Sequence, residues 1–164
     1  MKHFSVTSTR LLIAFALVYA FMVCDASAQS ASKASAETYN VTSNHLAING
    51  YDPVAYFTDN VAKEGKKELN FTYNGIVYRF SSMQHLQAFK SDPEKYKPQY
   101  GGWCAYAMGA TGEKVDIDPE TFKVLNGKLY LFYNRFFNNT KKSWDKDEAN
   151  LKQKADANWQ KLVH

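Results

Sequence analysis

The sequence predicts one small α+β domain, in which antiparallel β-hairpins pack against helices. Three observations predict it. Two stretches rich in β-formers each carry Asn-Gly at their centre. Each stretch is followed by apolar residues at helical spacing. The chain has 164 residues, room for one domain but not comfortably for two.

The first hairpin is read over Phe71–Phe80, with Asn74-Gly75 as its turn, and the second over Thr121–Tyr133, with Asn126-Gly127. Asn-Gly suits a type I′ turn because both central residues need φ > 0. The two stretches share a pattern, with Tyr78 matching Tyr130 and Phe80 matching Phe132. Two copies are too few to define a repeat architecture, and chance similarity is the preferred reading. A helix follows the first hairpin: Ser81 and Gln84 form a capping box, and Met83, Leu86 and Phe89 recur on one face. A second helix runs from about Asp147 to Leu162, with Leu151, Ala155, Trp159 and Leu162 as its apolar stripe. Asp52-Pro53, Asp92-Pro93 and Asp118-Pro119 are read as chain-turning steps.

The chain is 45% hydrophobic and 15% aromatic, ample material for a core. Its net charge of +4 comes without a basic run, zinc-finger spacing or RNA-binding signature, so nucleic acid is not expected as a partner. Residues 1–28 read as a signal peptide. Lys2 and Arg10 precede an apolar run from Leu11 to Val23, and Ala26-Ser27-Ala28 supplies a small-residue cleavage pattern before Gln29. The run is shorter than the ~20 residues a bilayer span requires, so no stable membrane insertion is expected after cleavage. The product is exported, periplasmic or secreted. Residues 29–44 are rich in Ala and Ser and read as a flexible linker, which leaves 45–164 as the domain. Cleavage removes Cys24, and Cys104 remains as the single free cysteine.

Several motifs carry a resemblance. Gly50-Tyr51-Asp52-Pro53-Val54-Ala55-Tyr56-Phe57, Tyr78-Arg79-Phe80-Ser81-Ser82, Asp92-Pro93-Glu94-Lys95-Tyr96 and Gly101-Gly102-Trp103-Cys104-Ala105-Tyr106 together resemble the exported branch of the YHS domain family. The resemblance runs from about residue 45 to the carboxyl end. It implies a small domain of hairpins on helices and, in some members, binding of copper or another soft metal through cysteines. At the positions where the metal-type motif places cysteine, this chain has Ala55, Ser81 and His85.

Cys104 is therefore the central candidate. A thiolate and a thioether are soft donors that favour Cu(I), which makes Cys104, His85 and Met108 the candidate metal ligands. On a strand, Cys104 and Met108 would stand ~13 Å apart, so a shared ion requires a helical or bent segment. Tyr51, Trp103 and Tyr106 are candidate pocket-lining residues. Asp52 is read mainly as a turn cap, with orientation of His85 as its other role. Three functions follow: a non-catalytic binding module for a soft metal ion such as copper; a thiol-dependent enzyme with Cys104 as nucleophile and His85 as base; or an apolar small-molecule site without metal. No protein partner is indicated.

Overall fold

Asn-Gly turns at both predicted positions set the architecture. The computed structural model describes residues 38–164. The predicted leader, its cleavage site, Cys24 and linker residues 29–37 lie outside the described residues. Among the described residues no helix is long and apolar enough to cross a membrane.

After a 3-10 turn at Ile48–Gly50 comes a short helix, α1 (Ala55–Thr58). The first hairpin pairs β1 (Lys66–Tyr73) with β2 (Ile76–Phe80). Helices α2 (Met83–Ser91) and α3 (Pro93–Tyr96) follow, then a 3-10 turn at Gln99–Gly102 and α4 (Ala105–Ala110). The second hairpin pairs β3 (Asp118–Leu125) with β4 (Lys128–Phe132). A third, two-residue ladder joins β5 (Asn134–Arg135) to β6 (Asn138–Asn139), and α5 (Thr140–Trp144) and α6 (Glu148–Val163) close the chain. The fold is α+β, with three two-stranded antiparallel sheets among the described residues.

The similarity between the hairpins, expected to be chance, is structural. Both have the same register irregularity: Lys66 pairs with Phe80 and Asn70 with Arg79, while Asp118 pairs with Phe132 and Phe122 with Leu131. Each numbered partner moves by 52. The parallel bridge Leu46 to Val77 returns, at that offset, as Pro98 to Leu129. Asp52 N donates to Lys63 O, and Cys104 N to Val115 O. Even the backbone outliers repeat, since Ile48 (φ 51°) corresponds to Tyr100 (φ 53°) and Gly50 (φ 88°) to Gly102 (φ 85°). The chain is thus two copies of one β-hairpin unit. The sequence conceals this because outside the turns few side chains repeat.

The copies meet across β4. Successive side chains of a strand point to opposite faces. Leu129 and Leu131 enter one apolar cluster, around Phe89, while Tyr130 and Phe132 enter the other, around Trp144. A strand buried on both faces reads as an unbroken apolar run. Helix α4 and its N-cap are shared in the same way, with the cap residue Cys104 in the first cluster and Ala105 and Met108 in the second.

Helix α2 is capped by Ser82, whose hydroxyl accepts from His85 N at 3.1 Å, one residue later than the predicted cap. Ser81 is engaged elsewhere. Asp92 caps α3 by accepting from Lys95 N, as an Asp-Pro step can. The predicted linker also differs over its described part: Asn40 N donates to Gly101 O at 2.8 Å and the Trp103 ring N–H to Thr38 O at 2.8 Å. Backbone groups that approach a buried surface must find partners, so Thr38 and Asn40 are tied to the domain.

One turn obeys different chemistry. Between β5 and β6, both central residues are phenylalanines at positive φ, Phe136 (53°) and Phe137 (64°). A left-handed conformation costs a side-chain-bearing residue about 1–2 kcal/mol. Replacing the pair with Asn-Gly, as at the other two hairpins, is expected to raise stability by about 1–2 kcal/mol in urea unfolding. Unchanged stability would show that the tip relaxes its backbone.

Candidate functional site

Each copy contains a polar centre at the same place, and the two differ in chemistry. In the first, Asp52 is fully buried. Its Oδ1 accepts from Val54 N at 2.9 Å. Its Oδ2 accepts from Ser81 N and Ser81 Oγ, both at 2.7 Å, and faces His85 Nδ1 at 2.7 Å. A carboxylate oxygen can only accept, so the His85 proton lies on Nδ1. The other ring nitrogen, Nε2, lies 3.3 Å from the Thr58 hydroxyl and 3.8 Å from Asp59 Oδ1. Asp52 therefore caps the turn and orients His85 at once. A buried carboxylate behind an imidazole is a base-orienting arrangement, yet Thr58 also donates within its own loop, to Val54 O or Asp59 Oδ1.

At the second centre Cys104 occupies the place of Asp52 and Tyr133 that of Ser81. The backbone bond is kept: Tyr133 N donates to Cys104 Sγ at 3.3 Å. Thr140 Oγ1 lies 3.4 Å from the sulfur and 2.9 Å from Tyr133 O. The Thr140 hydroxyl can donate to Tyr133 O and accept from the thiol, or donate to the sulfur, since Tyr133 O also accepts from Thr140 N at 3.0 Å. Sulfur, hydroxyl and the Tyr133 peptide thus form a closed circuit. Cys104 is a free cysteine and fully buried.

Beside the circuit lies a cleft of ≈ 330 Å³, lined by Cys104 and Thr140 together with Tyr106, Ala107, Val115 and Tyr133. Glu113 and Asn138 add polar groups at its lining. Of the predicted site residues, Cys104 and Tyr106 meet here. Met108 does not, because α4 turns it into the second cluster while Cys104 packs into the first. His85 belongs to the other centre, and none of its hydrogen bonds reaches Cys104. The predicted pairing of thiol and imidazole is therefore divided between the two copies.

Tyr51 and Trp103, predicted to line a pocket, are equivalent residues of the two copies and lie outside the cleft lining. Tyr51 Oη donates to Glu120 Oε1 at 3.3 Å, and burial followed by the Glu120 charge holds this phenol above its ordinary pKa. Trp103 spans to Thr38 O. His45, considered for closing the site, binds Gly75 O through Nδ1 at 3.1 Å. Among the described residues, no group of three or more His, Cys, Asp or Glu side chains is arranged to hold a metal ion.

Sequence reasoning missed Thr140, Tyr133 and Val115. The 52-residue offset was the available signal, since it aligns Cys104 with Asp52 and Tyr133 with Ser81. Comparison with protein-family models, curated proteins and solved structures finds no match for this chain.

Proposed function

We propose that this chain is an exported, non-catalytic binding module of YHS-like fold, and that its ligand is a small molecule seated in the cleft beside Cys104. The observation that carries the reading is the cleft itself. Its ≈ 330 Å³ combines apolar walls, two phenols and a few polar groups. Ligand sites take this form, with volumes of about 300–1,000 Å³.

The donor set favours an organic ligand over a soft ion such as copper. Cu(I) calls for sulfur or imidazole donors, and the cleft lining offers one sulfur. That sulfur already has a donor in Tyr133 N and a hydrogen-bond partner in Thr140. A nucleophilic role is disfavoured by burial, because Cys104 is fully buried and reactive cysteines sit in partly exposed surroundings. The YHS-like assignment rests on the motif set, and the three motif glycines Gly50, Gly101 and Gly102 all stand at positive φ, where glycine is favoured.

The test uses anilinonaphthalene sulfonate, a fluorescent apolar probe. Saturable binding at one site is expected for the wild type. Ala107→Trp, which fills the cleft, should weaken it about tenfold or more, while Cys104→Ser, which keeps a donor and acceptor, should shift it less than about threefold. Equal binding by Ala107→Trp and wild type would reject the cleft. A wild type that withdraws Cu(I) from a chromophoric chelator, with a Cys104→Ser variant that does not, would reinstate the metal.

A further inference from the structure

Phe136 and Phe137 are the most exposed large apolar side chains among the described residues, at 88% and 110% of their reference areas. They form the tip of the β5–β6 hairpin, and the backbone holds both at positive φ. The fold does not require this hairpin. In the first copy the chain passes from Phe80 through Ser81 and the cap Ser82 directly into α2. In the second it passes from Phe132 and Tyr133 through five extra residues, Asn134–Asn138, before the cap Asn139 and α5 at Thr140. An insertion absent from its own repeat, carrying two strained and solvated aromatics, adds nothing to either apolar cluster. Strain retained without packing directs attention to function.

The charge around the tip selects the partner. Residues 129–144 contain Arg135, Lys141 and Lys142 and no carboxylate. Arg135 reaches Asp116 at 3.2 Å and Lys141 reaches Asp145 at 2.7 Å, both exposed pairs that contribute little and exchange readily with other anions. Lys142 is exposed on α5. Two exposed aromatics, preceded in the chain by Arg135 and followed by Lys141 and Lys142, match the boundary of an anionic bilayer, where aromatic rings settle at headgroup depth and cations meet lipid phosphates. We infer that the Phe136-Phe137 tip is a shallow insertion point by which this domain docks on anionic phospholipid surfaces. The docking is peripheral, and it does not depend on what fills the cleft.

The decisive variant is Phe136→Asn/Phe137→Gly, which installs the turn that the chain uses in its other hairpins and is expected to fold at least as well as the wild type. Vesicles of phosphatidylcholine, with and without phosphatidylglycerol, are the probe. The wild type should partition onto the phosphatidylglycerol vesicles, and the variant should lose about tenfold or more of that affinity. Because the amino-terminal apolar run could itself reach lipid, a local readout accompanies the first. In Phe137→Trp, brominated lipid should quench the added fluorescence beyond any quenching of the wild-type tryptophans. An unquenched tip overturns the inference, as does equal binding by wild type and variant or equal binding to neutral and anionic vesicles. If the Phe137→Trp emission is already blue-shifted without lipid and the chain sediments as a dimer that the Asn-Gly variant dissolves, the tip joins two copies and the bilayer reading falls.

Discussion

Replacing Asp52 with alanine is expected to remove about 3–5 kcal/mol of stability, the cost of unpairing a buried, fully bonded charge network. Val54 N, Ser81 N, Ser81 Oγ and His85 Nδ1 all converge on this one carboxylate. Alanine would strand three N–H donors in the interior, and an unmade buried bond costs more than a made one contributes. The effect is long-range, because these bonds tie the turn before α1 to the start of α2. Asparagine is no remedy at this position: its amide N–H2 can face either the Val54 side or the Ser81 side, and donors wait at both. His85 can change tautomer to accept from it, whereas the Ser81 peptide cannot. Urea unfolding should therefore show Asp52→Asn falling between wild type and Asp52→Ala. A loss below about 1 kcal/mol for alanine would mean that water enters and satisfies the orphaned donors.

The second large effect is expected at Gly109, where alanine should cost about 3 kcal/mol through overpacking. A Cβ there would lie 3.0 Å from the Leu151 carbonyl carbon and closer still to its oxygen. The neighbour is backbone within α6, so no rotamer change can yield. The contact is also pinned, since Asn158 Nδ2 donates to Met108 O at 2.9 Å. Forcing α4 from α6 would open the cluster that holds Met108, Trp144, Leu151 and Ala155. Gly127→Ala is the matched control. It shares the added methyl and has a positive φ (70°), but meets nothing within 4 Å, so only the left-handed backbone cost of about 1 kcal/mol applies. Thermal unfolding should separate the pair clearly. Equal losses would show that the α4–α6 contact is loose.

The parts of the fold legible in the sequence were those with local chemistry. Asn74-Gly75 and Asn126-Gly127 announced both hairpins because so few residue pairs accept two positive φ values. Leu151, Ala155 and Trp159 announced α6 by period. The strand β1 begins at Lys66, earlier than read, because its first residues are polar and exposed and give no alternation. The four-residue helices α1 and α3 are too short to show a period. The β5–β6 turn was invisible, since Phe-Phe contradicts every turn preference.

The candidate site was half legible. Cys104 and Tyr106 fall in the cleft, and the secondary role read for Asp52, orienting His85, is realised together with the main one, capping. What failed was the attempt to join His85 and Cys104. Their spacing along the chain carries no information about proximity, whereas the offset between Asp52 and Cys104 does: equivalent residues of two copies occupy equivalent but separate places.

The way the chain enters its domain has a consequence for its final helix. Tyr39 sets its ring edge-on to Trp159 at 6.0 Å, and Gly101 fits beneath the same indole so closely that an added Cβ would lie 2.7 Å from it. The first described segment and α6 thus share one clasp. Removing the Tyr39 ring would bare the Trp159 indole on that side, so a change near the start of the domain is felt in its final helix.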